Sequence, residues 1–201
     1  MENRQDNSKL LDKGWFLIGS LSIVFITYRL YSPILRAHFC LDDILHLHIV
    51  RFGIGFLKPF THDYMLGAFY RPVGYAFFKL NYLISGLNPV GYYAVNIALL
   101  VLTGVLLYLV LLNLRIDWKI GLTSSFLFII SPITATATLW ISSRYDLIST
   151  TFILLSMLLY IRFHKYGRLH SYLFSLLCAL LAYFSKESSL CLPILLSLIH
   201  I

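Results

Sequence analysis

The sequence predicts an all-α polytopic membrane protein, with about five to six transmembrane helices and a long external loop that carries surface helices. Three observations lead there. Hydrophobic residues make up 59% of the 201 positions and charged residues only 12%, with a mean hydropathy of +0.78. That is more apolar side chain than the surface of a water-soluble domain accommodates. The apolar residues fall in runs about long enough to cross a hydrocarbon core of ~30 Å. The basic residues behind the formal net charge of +7 mostly sit in short clusters between those runs, as orientation signals and anionic-headgroup contacts do. In a soluble chain the same charge would suggest nucleic acid; this placement argues against such a partner and for membrane lipid.

The elements follow in chain order. Arg4, Lys9 and Lys13 precede a first apolar run at 15–31, which closes on Tyr28, Arg29 and Tyr31. A small-residue cleavage site would mark a signal peptide, so this run reads as an uncleaved anchor with residues 1–14 in the cytoplasm. Residues 32–88 form the external loop. Within it, stretches 41–52 and 71–87 interleave polar and apolar positions at near-helical spacing, separated by Gly53, Gly55, Pro59 and His62-Asp63; such helices lie on a membrane better than they cross it. The remaining spans occupy 92–201, with runs at 92–114, 120–140, 147–161 and 171–184 that bring the crossings to five. The connections 115–119 and 162–168 hold five basic residues against the single Asp117, which assigns both to the cytoplasm with the N-terminus. A last run, 190–201, has twelve residues and rises about 18 Å, an incomplete crossing. The whole is read as one multi-pass domain in a bacterial or archaeal plasma membrane or the endoplasmic reticulum.

This orientation collects six charges on the non-cytoplasmic face: Asp42, Asp43, Arg144, Asp146, Lys186 and Glu187, with Asp63 beside them. A charge near hydrocarbon costs at least ~2.5 kcal/mol, so such residues persist where a function or a partner offsets that cost. Asp42 and His46 have the i, i+4 spacing that puts two ligands on one helix face, but His48 lies off that face and no complete divalent-metal site assembles locally. Cys40, Cys178 and Cys191 are too scattered for a disulfide framework or a zinc site and read as packing residues.

The order of local motifs resembles the GT-C glycosyltransferases, and within them the protein O-mannosyltransferase-like branch that uses polyprenyl-phosphate sugars. The residues that carry the likeness are the Asp42-Asp43 pair after the first helix, Tyr70-Arg71-Pro72, Asn88-Pro89 and Ser131-Pro132. Trp140 with Ser143-Arg144-Tyr145-Asp146-Leu147, and Ser185-Lys186-Glu187-Ser188, complete the set, so that it covers about residues 15–200. The sequence departs from the pattern at Ser131, Thr134 and Thr136, where a His before Pro132 and a His or Glu after it are expected of relatives.

The resemblance implies inverting sugar transfer from a polyprenyl-phosphate-linked donor to a protein or glycan acceptor. It makes Asp42 or Asp43 the base that takes the acceptor's proton, one of the pair otherwise capping the helix that begins near Ile44. Arg71, Arg144 and Lys186 become ligands of the leaving phosphate, with Asp146 and Glu187 beside them as substrate-site or ion-pair carboxylates. No cofactor follows with certainty, a divalent metal on Asp42 and His46 being the less favoured alternative. It also implies further helices beyond Ile201, so that the chain corresponds to the N-terminal part of a transferase and is inactive alone. The alternative is a non-catalytic membrane subunit, or truncated paralogue, that packs against a membrane-protein partner.

Overall fold

The computed structural model describes residues 2–53, 55, 58–61 and 69–200. The expectations for His62 and Asp63 lie outside the described residues. Among those described there are nine α-helices and no strand: α1 (Glu2–Tyr31), α2 (Leu41–Phe52), α3 (Pro72–Ser85), α4 (Pro89–Asn113), α5 (Trp118–Ile130), α6 (Pro132–Leu139), α7 (Arg144–Tyr166), α8 (Leu169–Tyr183) and α9 (Leu192–His200).

Local chemistry explains the boundaries. Pro72, Pro89 and Pro132 each open a helix, at the one position where a missing N–H and a fixed φ are harmless. Asn88 caps α4 by accepting from the Val90 N–H at 3.1 Å, and Asp117 caps α5 by accepting from Lys119 at 2.8 Å. Gly167, at φ 64, ends α7 in the left-handed conformation that glycine adopts without a Cβ clash.

The protein is an integral membrane protein. Segments Gly14–Arg36, Pro89–Asn113 and Ile141–Tyr166 are each long and apolar enough to cross a bilayer. The expected span at 120–140 is instead two helices, α5 and α6, bent by 55°. Pro132 explains the break: it offers no N–H to the preceding turn, and Ser131 before it is extended at φ −63, ψ 141. Together the bent pair makes one further broken span or a re-entrant loop. The fifth expected crossing falls on α8, whose 15 residues rise about 22 Å, short of the hydrocarbon core by itself. The stretches 41–52 and 71–87 are both helical, as α2 and α3, and α3 buries Val73, Tyr75, Phe78 and Asn81.

Helix α4 is the axis of the bundle, packed against α1, α3, α5 and α7. Its contacts use small and hydroxyl side chains, as helices do where lipid removes the hydrophobic drive to associate. Gly19 of α1 admits the Tyr108 ring so closely that a Cβ there would lie 2.6 Å from it. Thr103 of α4 and Thr151 of α7 share a hydrogen bond of 2.9 Å. Ser156 and Ser175 join α7 to α8 through reciprocal hydroxyl-to-carbonyl bonds of 2.9 Å.

The hairpin α7–α8 puts Lys165 and Ser188 at opposite ends. We therefore expect Lys165→Cys and Ser188→Cys, in a background with Cys40 and Cys191 replaced by Ser, to react with an impermeant thiol reagent from opposite membrane faces. Lys165 should be the cytoplasmic one, as the basic short loops require. Labelling of both from one face would overturn the topology.

Candidate functional site

Three separate segments meet at the Pro89 end of α4, and the first is α2. Asp43, in its first turn, is fully buried. Its Oδ2 accepts from the Cys40 N–H at 2.9 Å, while its Oδ1 accepts from Ser142, from the N–H at 2.8 Å and the hydroxyl at 2.6 Å. The carboxylate thus closes a capping box and ties α2 to the turn before α7. Asp42, its neighbour, is exposed and free of these duties. The structure separates a pair that looks equivalent in sequence.

The second segment brings Arg71. The Val73 N–H donates to the Phe184 carbonyl at 3.1 Å, joining the start of α3 to the end of α8 and bringing Arg71 beside Glu187. Their contact is bidentate: Nη2 to Oε2 is 2.7 Å, and Nε lies 3.1 Å from both oxygens. The Arg71 hydrogen bonds hold the Glu187 carboxyl below the usual glutamate range. The guanidinium also lies over the Phe69 ring at 4.3 Å and the Tyr145 ring at 5.4 Å. Next to Glu187, Lys186 reaches Asp146 Oδ2 at 2.5 Å.

The third segment is the turn 140–145. Between it, α2 and residues 69–71 lies a cavity of about 240 Å³, lined by Asp42, His46, Phe69, Arg71, Trp140, Ser142, Ser143 and Tyr145. His46 stacks on Phe78 at 5.0 Å, and its Nδ1 is 3.4 Å from the Tyr145 hydroxyl. Burial pushes the imidazole pKa down, against the raising effect of Asp43 and Asp42 and with the lowering effect of Arg71. Gly74 makes room for the Tyr145 ring; a Cβ there would stand 2.0 Å from it. A second, apolar groove of about 300 Å³ runs along α2 and includes Ile44, Leu47 and Phe52.

Arg144 points elsewhere. Its side chain is fully buried and makes three short bonds to neutral acceptors: Nε to Asn96 Oδ1 at 2.6 Å, Nη1 to Asn81 Oδ1 at 2.7 Å and Nη2 to the Tyr92 carbonyl at 2.7 Å. The Phe78 ring covers it at 4.9 Å. Asn96 continues the network by donating to the Thr138 carbonyl of α6 at 3.0 Å, and Asn81 by donating to Ser85. One guanidinium therefore clamps α3, α4 and α7 together.

Of the residues singled out in the sequence, Asp42, Arg71 and His46 share the cavity, Glu187 adjoins it through its ion pair with Arg71, and Asp146 and Lys186 form a second ion pair next to these in sequence. Asp43 and Arg144 support it from behind. Sequence reasoning missed Asn81, Asn96 and Ser142. The two asparagines had a signal, being amides within largely apolar helices, where an intramembrane polar residue implies a partner. Ser142 had none. Among the described residues no group of three metal-ligating side chains assembles, and Asp42 with His46 gains no third ligand there.

No protein-family profile matches this chain, and no solved structure does. Curated proteins match parts of it. It is 34% identical over 93 residues to Protein O-mannosyl-transferase TMTC3 of Homo sapiens, covering 46% of this chain and 10% of that protein. The protein of the same name from Mus musculus is 32% identical over 91 residues, 45% of this chain and 10% of its own. Protein O-mannosyl-transferase Tmtc1 of Drosophila melanogaster is 31% identical over 121 residues, 60% of this chain and 14% of its own. The matched part thus spans 10–14% of the length of these relatives.

Proposed function

We propose that this chain contributes the acid–base and donor-phosphate elements of a membrane sugar transferase of the protein O-mannosyl-transferase kind. The reaction is transfer of a hexose such as mannose from a polyprenyl or dolichyl phosphate to a hydroxyl of a protein or glycan acceptor, on the non-cytoplasmic face. The observation that carries this reading is the single cavity shared by the Asp42 carboxylate and the Arg71 guanidinium. The partial similarity to named O-mannosyl-transferases supports it.

In the proposed step Asp42 takes the proton of the acceptor hydroxyl as its oxygen bonds to the anomeric carbon, and the bond from that carbon to the phosphate oxygen breaks with its electron pair leaving on phosphate. Attack opposite the leaving group inverts the anomeric centre. Arg71 offers the phosphate the same two-pronged donor set that Glu187 now occupies, so that phosphate enters by displacing one carboxylate with another anion. Lys186, on the neighbouring ion pair, adds positive charge at the cavity's edge. Trp140 and Phe69 provide apolar ring surface for the sugar, and the groove along α2 suits the start of the polyprenyl tail.

Binding of a polyprenyl phosphate to the chain in nanodiscs tests this reading. Arg71→Ala is expected to weaken it roughly ten- to a hundredfold, the loss of one charge-assisted phosphate contact. Arg71→Lys should recover only part, because an ammonium lacks the guanidinium fork. Binding indifferent to both substitutions would sink the phosphate-site assignment.

A further inference from the structure

The other end of α4 holds a larger, partly open cavity, about 420 Å³, where α1, α4 and α5 meet. Tyr92, in the same core cluster as Tyr145 of the first cavity's wall, and Leu112, in the wall of this one, are 20 positions apart on one helix, which is about 30 Å of rise. That is the thickness of a hydrocarbon core, so the two cavities lie at opposite membrane interfaces.

The walls of this second cavity are chemically mixed. Trp15, at the start of the apolar segment of α1, and Trp118, the first residue of α5, stack at 4.3 Å and 9°, where tryptophans gather at headgroup level. Arg115 holds φ 63, a left-handed conformation disfavoured for any residue with a Cβ. Its exposed guanidinium has no salt-bridge partner among the described residues. Two positions on, Asp117 uses Oδ1 to cap α5 through the Lys119 N–H; its Oδ2 accepts no hydrogen bond among the described residues. The Lys119 ammonium lies over the Trp118 ring at 5.7 Å, and among the described residues Asp117 makes no salt bridge. Leu112 and Ile116 give the cavity an apolar side.

We propose that this cavity is a binding site for a zwitterionic phospholipid with a primary ammonium headgroup. The phosphodiester takes Arg115, the ammonium donates to Asp117, and the glycerol end lies against the apolar side and the tryptophan stack. A headgroup with phosphate but no ammonium leaves Asp117 facing an anion uncompensated. A trimethylammonium has no N–H to donate. A cation and a carboxylate that make no salt bridge among the described residues, both in one cavity wall, match a ligand that carries both charges. The assignment is independent of sugar transfer.

The test is lipid retention. The protein is purified from bilayers of equal parts phosphatidylethanolamine, phosphatidylglycerol and phosphatidylcholine, and the lipid carried with it is quantified by native mass spectrometry. Phosphatidylethanolamine should be retained several-fold above its bulk share. Arg115→Gln should reduce its affinity about tenfold. Asp117→Asn keeps an equally good helix cap and removes only the charge, so it should abolish the headgroup preference and raise phosphatidylglycerol retention. Retention at bulk proportions, a wild-type preference for phosphatidylglycerol, or an enrichment unmoved by both substitutions would each overturn the proposal.

Discussion

Asp42→Asn is expected to lower sugar-transfer turnover about a hundredfold, the usual scale for losing a general base, in a preparation of this protein that transfers sugar from a polyprenyl-phosphate donor. Its thermal midpoint should not move, because the Asp42 side chain is exposed and Asp43 carries the capping box. Asp43→Asn should do the reverse. The Asp43 carboxylate is buried with three donors on its two oxygens, and an amide turns one of those acceptors into a donor. A buried donor left facing another donor costs about 1–3 kcal/mol, which should appear as a lower midpoint, with activity falling only as the cavity's wall loosens. Turnover and thermal stability measured side by side separate the two roles. Full turnover in Asp42→Asn would remove it as the base, and a loss confined to Asp43→Asn with unchanged stability would exchange the assignments.

Arg144→Ala is expected to cost roughly 3–5 kcal/mol in folding stability, from orphaned amide oxygens on Asn81 and Asn96 together with the space the side chain vacates. A denaturation midpoint in mild detergent with graded SDS reads this directly. Arg144→Lys should not restore it, since one ammonium cannot meet three acceptors set around a planar guanidinium. A double-mutant cycle with Asn96→Ala should show strong coupling, because each side chain is the other's partner. Wild-type stability in Arg144→Ala would show that the clamp across α3, α4 and α7 is incidental.

The sequence-based reading of Arg144 as a phosphate ligand illustrates what pattern alone supplies. Its position beside Asp146, at the edge of an apolar run, marked it as a charge that needed a partner. It did not say which partner. The answer came from Asn81, 63 positions away, and Asn96, 48 positions away, and no local spacing encodes contacts at that range. Asp42 and Asp43 make the same point at closer quarters. Adjacent residues on a helix point about 100° apart, so one faces the core while the other faces the cavity, and only packing against Ser142 decides which.

What the sequence determined by itself is what depends on composition and short-range order: an all-α membrane protein, the positions of α1, α2, α4 and α7, and the charges worth attention. Hydrophobic length and helical periodicity are local properties, and they survive whatever the helices later pack against. The bend at Ser131-Pro132 was legible in principle, since proline removes a donor wherever it stands. The tertiary structure alone decided which charges share a cavity, which are paired with one another and which are locked in the core. Those outcomes depend on side chains far apart in sequence meeting within hydrogen-bond distance, and that is a property of packing.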